Sequence, residues 1–259
     1  MREHAESEKG VRAYQEGDYA TALLEFRQLA EQGLASAQND LGVMYANGVG
    51  VSQDYQEAAQ WFHRAAAQGH ASAQYALGMM HKKGEGVPQD AEATVRWWRR
   101  AAEQGHADAQ SNLGVMYHRG EGVPQDSLEA VRWYHRAAEA GHPDAQSNLG
   151  VMYHRGEEVP QDYREAIKWY QRAAEQGHAF AQSNLGVMYA KGAGVPQDYA
   201  RAHMWFNIAA SSGKVYAREI REDARKMRGD VEKNLSSAQI IEAEQRAREC
   251  IEKNYKGYF

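Results

Sequence analysis

Ala109-Gln110-Ser111-Asn112-Leu113-Gly114-Val115-Met116-Tyr117 returns unchanged 36 residues later as Ala145-Gln146-Ser147-Asn148-Leu149-Gly150-Val151-Met152-Tyr153. It returns once more as Ala181-Gln182-Ser183-Asn184-Leu185-Gly186-Val187-Met188-Tyr189. Its Leu-Gly pair extends the same 36-residue period back to Leu77-Gly78 and Leu41-Gly42. A fixed period between about 20 and 50 residues marks stacked supersecondary units, none of which can bury its apolar face alone. It also moves the functional expectation from catalysis toward binding, because such arrays present extended concave faces.

Many other columns keep the register. Tryptophan recurs at Trp61, Trp97, Trp133, Trp169 and Trp205, with Trp98 alone outside the column. Aspartate recurs at Asp54, Asp90, Asp126, Asp162 and Asp198, and glycine at Gly33, Gly69, Gly105, Gly141, Gly177 and Gly213.

One unit, Ala107 to Gly141, shows what the columns encode. Ala109, Leu113, Met116 and Tyr117 fall at helical spacing and predict a first helix. Gly114 inside it costs about 1 kcal/mol against alanine; close approach of a neighbouring helix backbone is the expected reason. Gly120, Gly122 and Pro124 end that helix and stiffen a turn. Asp126 predicts the N-cap of a second helix, and Glu129 three residues on predicts a capping box, as do Glu57 after Asp54 and Glu165 after Asp162. Ala130, Trp133, Tyr134, Ala137 and Ala138 form the apolar stripe of that second helix. Gly141 suits its C′ position, and Pro143 the first turn of the next helix.

The net charge of −5 at pH 7 argues against a general nucleic-acid binder, which would carry a basic excess. No apolar run reaches transmembrane length, so no membrane insertion is expected. The single Cys250 cannot form an internal disulfide. If Met1 is the native start, the chain reads as cytoplasmic; if a signal peptide has been removed, it reads as periplasmic or exported.

The run Ala-Gln-x-x-Leu-Gly-x-Met-Tyr-x-x-Gly-x-Gly-Val-Pro-Gln-Asp-Tyr, followed by Trp, Ala-Ala and Gln-Gly-His, resembles the Sel1-like repeat. That family is related to the tetratricopeptide repeat and has a longer inter-helix loop. The resemblance implies an all-α fold: a right-handed α-solenoid of stacked helix–turn–helix units with helical caps. Residues 36–213 hold five units. Residues 1–35 read as an N-terminal hairpin cap, with Ala13-Tyr14, Gly17-Asp18-Tyr19, Ala22-Leu23 and Phe26 in a shorter, tetratricopeptide-like unit. Residues 214–259 read as a C-terminal helical cap. There Val215 to Arg228 is helical in pattern, and Ser236 with Gln239 forms a capping box. Ile241, Ala247, Cys250 and Ile251 are expected to cover the end of the array; docking of a partner is the competing reading of this tail.

Four of the eleven histidines, His70, His106, His142 and His178, sit one unit apart. Equivalent positions on stacked helices are separated by roughly 8–10 Å between axes, whereas zinc donors lie about 2.1 Å from the ion. They read as structural residues at the inter-repeat corner, and neither metal nor cofactor is expected. The tryptophan column reads as core rather than as a sugar-binding strip. The glycine-rich loops lack the Lys-Ser/Thr of a phosphate cradle. Glu158 stands where Gly50, Gly86, Gly122 and Gly194 stand. Either it carries strain in a positive-φ site or that site tolerates ordinary φ.

If first helices line the concave side, as in tetratricopeptide arrays, Lys82, Lys83, His118, Arg119, His154, Arg155 and Lys191 form a basic ridge able to pair with carboxylates. Asn112, Asn148 and Asn184, each preceded by a serine (Ser111, Ser147 and Ser183), form a row of amides able to clamp an extended peptide. The row is broken earlier by Asn39-Asp40 and Tyr75-Ala76, and Tyr75 joins the candidate surface. A solvated face and amides spent on neighbouring helices are the competing readings.

No Ser-His-Asp, Cys-His or paired-carboxylate constellation stands apart from the columns. The expectation is therefore a non-enzymatic interaction scaffold that binds a polypeptide on its concave face. The resemblance leaves two alternatives. One is a cell-envelope enzyme or binder acting on β-lactam or peptidoglycan-type ligands, although such relatives carry paired cysteines that this chain lacks. The other is a structural spacer.

Overall fold

The computed structural model describes residues 2–212 and 218–255. Gly213 and the first residues of the helical pattern, 215–217, lie outside the described residues, as does the expected boundary between 213 and 214. Among the described residues there are fourteen α-helices and no strand, the architecture of an α-solenoid. The chain divides into two compact units, residues 1–133 and 134–259.

The first unit contains α1 (Arg2–Gln15), α2 (Tyr19–Glu31), α3 (Ala35–Asn47), α4 (Tyr55–Ala67), α5 (Ala71–Lys83), α6 (Ala91–Glu103), α7 (Ala107–Arg119) and the start of α8 (Ser127–Glu139). The second contains the rest of α8, α9 (Pro143–Arg155), α10 (Tyr163–Ala174), α11 (Ala179–Lys191), α12 (Tyr199–Ala210), α13 (Arg218–Glu232) and α14 (Ser237–Glu252).

Each second helix starts on its aspartate. The Asp54 carboxylate accepts from the backbone N–H of Gln56 and Glu57, and Asp162 from Arg164 and Glu165. The expected capping boxes do not close. The backbone N–H of Asp54, Asp126 and Asp162 donates instead to Tyr45 O, Tyr117 O and Tyr153 O, each at 3.0 Å. The glutamates therefore turn elsewhere: Glu57 accepts from Trp61 Nε1 at 3.0 Å, and Glu165 from Lys168 Nζ at 2.8 Å. Only Ser236 with Gln239 shows both arms of a box among the described helices.

The loop glutamines tie the turn down. Gln53 Nε2 donates to Ala46 O at 2.8 Å and Gln125 Nε2 to His118 O at 2.8 Å. Gln161 and Gln197 do the same to His154 O and Ala190 O. These bonds satisfy last-turn carbonyls that a helix end leaves open.

The first helices α5, α7, α9 and α11 start on histidine, whereas α3 starts on Leu34 without a side-chain cap. Nδ1 of His70, His106, His142 and His178 accepts the backbone N–H three residues on, at 3.3, 3.3, 3.4 and 3.2 Å. The ring nitrogen does the work of a serine or aspartate cap.

The mid-helix glycines face rings rather than backbone. A Cβ at Gly78 would lie 2.3 Å from Trp98 Cδ1, and one at Gly150 would lie 2.4 Å from Tyr170 Cε1. The expectation of tight backbone approach is thus corrected at four of the five: an aromatic side chain of the following helix lies on Gly42, Gly78, Gly150 and Gly186. Trp98 is one such wedge and is fully buried, with Nε1 donating to Tyr75 O at 3.2 Å. In the tryptophan column Trp61, Trp133, Trp169 and Trp205 are buried and Trp97 is half-buried, so the column forms no exposed indole strip.

Successive repeats are joined by buried glutamines. Gln38 Nε2 donates to Ala30 O at 3.0 Å, while its Oε1 accepts from Gln68 at 2.8 Å. Gln74 with Gln104, and Gln146 with Gln176, repeat the joint at 2.7 and 2.9 Å.

At the C-terminal end, α13 and α14 pack on α12. Val231, Ala247 and Cys250 join the core cluster of Trp205 and Phe206. His203, fully buried on α12, meets Glu232 Oε1 at 2.9 Å, and Arg228 Nη1 donates to Asn207 Oδ1 at 2.8 Å. Ile241 and Ile251 depart from the expected cover, being 61% and 37% exposed.

The loop column behaves as a positive-φ site. Gly86 has φ +68°, and a Cβ there would lie 2.1 Å from Tyr55 O. Glu158 adopts φ 59° in the same column. The strained alternative is the one realised.

Candidate functional site

Residues seven apart on a helix share a face about 10 Å apart along the axis. Asn112 and Arg119 on α7, Asn148 and Arg155 on α9, and Asn184 and Lys191 on α11 are such pairs. α7, α9 and α11 thus each carry an amide in mid-helix and a cation at the end, beside the positive-φ glycine that stops the helix.

In the first unit Tyr75 is the centre of a cluster. Its ring stacks on His106 at 4.6 Å and on Trp98 at 6.1 Å. Asn112 Nδ2 donates to Tyr75 Oη at 3.3 Å, and burial raises the phenol's pKa above its ordinary value. Lys82 Nζ lies 5.2 Å from the Trp98 ring centre. Lys83 pairs with Glu85 at 3.6 Å and Arg119 with Glu121 at 3.5 Å, all at the surface. Such exposed pairs are worth about 0–1 kcal/mol, so a stronger partner carboxylate can displace them. His118 is half-buried and its Nδ1 has no hydrogen-bond partner.

In the second unit Asn184 Nδ2 bonds its own helix at Phe180 O, 3.0 Å away. Asn148 is half-buried in the middle of α9. His154 lies between Tyr163 and Tyr170, at 5.7 and 6.4 Å. Burial, and then the positive charges of Lys191 and Arg155, hold its pKa below the usual imidazole value. Arg155 pairs with Glu157 at 3.3 Å. Lys191 is exposed, and Ala193 stands where the other loops have Glu85, Glu121 and Glu157.

All three serines of the row leave the surface. Ser111, Ser147 and Ser183 are only 3%, 2% and 7% exposed, and the Ser147 hydroxyl has no partner among the described residues. They lie one residue before the asparagines, a step of about 100° around the helix, which turns them inward.

Asp40 occupies the position that Asn112, Asn148 and Asn184 occupy later. It lines a pocket of about 340 Å³ with Val11, Tyr14, Gln15, Phe26 and Val43. The signal in the sequence was a carboxylate in a column that holds Ala76 and then three asparagines. Among the described residues no cluster of three or more histidine, cysteine or carboxylate side chains is arranged to hold a metal. No described helix is long and apolar enough to cross a membrane.

The family described as Sel1 repeat matches residues 35–70, 71–106, 107–142, 143–178 and 179–214. A Sel1 repeat protein from Oxalobacter formigenes, known from its crystal structure, is similar with a TM-score of 0.80 and 31% identity, over 98% of both chains. The protective antigen c5321 of uropathogenic Escherichia coli strains, displaying an SLR fold, is similar with a TM-score of 0.73 and 36% identity. That match covers 91% of this chain and 53% of the antigen. No curated protein matches the chain at a significant level. Five tandem matches on five structurally alike helix pairs lead to one conclusion: the chain belongs to the Sel1 repeat family.

Proposed function

We propose that this protein is a non-enzymatic scaffold that holds a polypeptide partner on the face formed by its first helices. Sel1 repeat proteins generally mediate protein–protein interaction, and the repeat scaffold is typically non-catalytic. The observation that carries the reading is the amide–cation pair repeated on α7, α9 and α11. The leucines, methionines and aromatics fill the interior, and the amides lie half-buried at its edge, Asn112 on the Tyr75 hydroxyl and Asn184 on Phe180 O. An asparagine amide both donates to and accepts from an extended backbone, and a cation seven residues on meets a carboxylate of the same peptide. The capping histidines and the inward serines serve caps and core, so the proposed binding residues are Tyr75, Lys82, Lys83, Asn112, His118 and Arg119 in the first unit and Asn148, His154, Arg155, Asn184 and Lys191 in the second.

The test is affinity capture of the partner from the native organism, followed by titration against Asn112→Ala/Asn148→Ala/Asn184→Ala. The triple variant should bind at least tenfold more weakly with an unchanged melting temperature. Unchanged affinity removes the site assignment. Turnover of β-lactam or muropeptide substrates by the purified chain would overturn the non-enzymatic reading.

A further inference from the structure

We propose that the pocket between α1, α2 and α3 receives the lysine or arginine side chain of a polypeptide partner, with Asp40 as its counter-ion. This rests on the first-helix face being the binding face, because Asp40 holds the asparagine position of α3.

The pocket's walls are Val11, Tyr14, Phe26 and Val43, with Gln15 at its rim. Its volume of about 340 Å³ lies at the lower end of the range of small-ligand sites, roughly 300–1,000 Å³. That suits one long side chain rather than a cofactor. Its floor is well defined. Gly10 lets α1 settle on the Phe26 ring, where a Cβ would come within 2.7 Å of Phe26 Cε1. Phe26 itself is buried.

Among the described residues Asp40 is the one carboxylic acid in this lining, and no described cation forms an ion pair with it. Its hydrogen bond comes from Asn39 Nδ2, at 3.3 Å. Three cations of α1 and α2 hold other partners: Lys9 with Glu25, Arg12 with Glu16, and Arg27 with the Tyr45 hydroxyl. Burial pushes the Asp40 carboxyl above its ordinary range, the mark of a carboxylate losing water without gaining a cation.

These features select the occupant. An anion would meet Asp40 as a like charge. A neutral alkyl group would strip more water from the carboxylate and leave it unpaired, which is costly. Lysine and arginine bury an apolar stem and present a cation at its tip, matching apolar walls that carry one carboxylate. The later units replace this acid with Ala76, Asn112, Asn148 and Asn184, so the preference belongs to the N-terminal end of the array.

The test uses capped amino acids as probes on the full chain. Nα-acetyl-lysine methylamide, Nα-acetyl-arginine methylamide and Nα-acetyl-norleucine methylamide are titrated while the methyl resonances of Val11 and Val43 are followed by NMR. Saturable shifts are expected with the lysine or the arginine probe, and at least tenfold weaker binding with norleucine. Asp40→Asn should weaken the cationic probe at least tenfold. Asparagine is already the residue at this place in three other units, so the variant keeps the fold, which its melting temperature checks. No saturable shift with either cation, an equal response to norleucine, or an unaffected Asp40→Asn variant overturns the proposal. The capped probes need no asparagine row, so failure here is distinguishable from failure of partner capture by the triple asparagine variant.

Discussion

Glu158→Gly should stabilise the protein. Glu158 is held at φ 59° in a column whose other members, Gly50, Gly86, Gly122 and Gly194, have φ between 66° and 75°. For an L-residue the left-handed region costs roughly 1–2 kcal/mol. Glycine removes that cost but frees the unfolded chain, a loss of about 0.4–1 kcal/mol. The net gain is about 0.5–1 kcal/mol. For a domain of about this size, 1 kcal/mol moves the melting temperature by about 2–4 °C, so an increase of about 1–4 °C is expected by circular dichroism, with a matching rise in the urea midpoint. Gly194→Ala is the mirror experiment. It puts a Cβ at φ +75°, 2.7 Å from Tyr163 Cβ. Left-handed strain and overpacking together should cost about 2–4 kcal/mol. A Glu158→Gly protein that melts at or below the wild type would refute the reasoning, since it would show that the loop bears no strain at 158.

The histidine caps make stability pH-dependent. Burial lowers the pKa of His70 and His106 below the unfolded value near 6.5, because each ring must stay neutral for Nδ1 to accept a backbone N–H. Their contribution is fully present above pH ~6.5 and is lost as pH falls through the lowered folded values. The double variant His70→Asn/His106→Asn keeps an acceptor without a titrating ring, so its melting temperature should fall less than the wild type's between pH 7.5 and 5; parallel curves would discredit the caps as the cause. Cys250 gives a probe of the other end. Burial pushes its thiol from 9.0 up to about 11, which lowers the thiolate fraction at neutral pH about a hundredfold. Alkylation by iodoacetamide should be at least that much slower than in urea, and His203→Ala, which removes the bond to Glu232, should speed it. Equal native and unfolded rates would contradict the packing of α14 on α12.

The repeat frame was readable because helix signals and column period coincide. Asp54, Asp90, Asp126, Asp162 and Asp198 stand at every second-helix start and glycine after every helix, so each boundary is signalled several times over. What stayed hidden depends on contacts between residues far apart in sequence. The Asp126 N–H goes to Tyr117 O across the loop, and that bond leaves Glu129 no box to close. Gly78 and Gly150 announced a close neighbour, but a glycine does not name what fills its missing Cβ; here it is Trp98 or Tyr170. The inward turn of Ser111 and Ser147 escaped notice for a related reason. First helices built of alanine, glycine and serine carry a weak apolar stripe, so their rotational phase is poorly marked. Asp40 was visible as a break in a column. Its meaning required α1, which closes the pocket over it.

The glutamine joint has a consequence for how such a chain changes over generations. Gln38 with Gln68, Gln74 with Gln104, and Gln146 with Gln176 make the same bond between the same residue types. Loss or duplication of a whole repeat at one of these joints would bring together two halves of an interlock already matched. The joint after Gln110 is an exception: Ala140 stands in the partner's place, and Gln110 Oε1 has no partner among the described residues. The ends lack this matching. Among the described residues the α1–α3 pocket and the His203–Glu232 bond have no counterpart in the other units, so gain or loss of a repeat does not reproduce them.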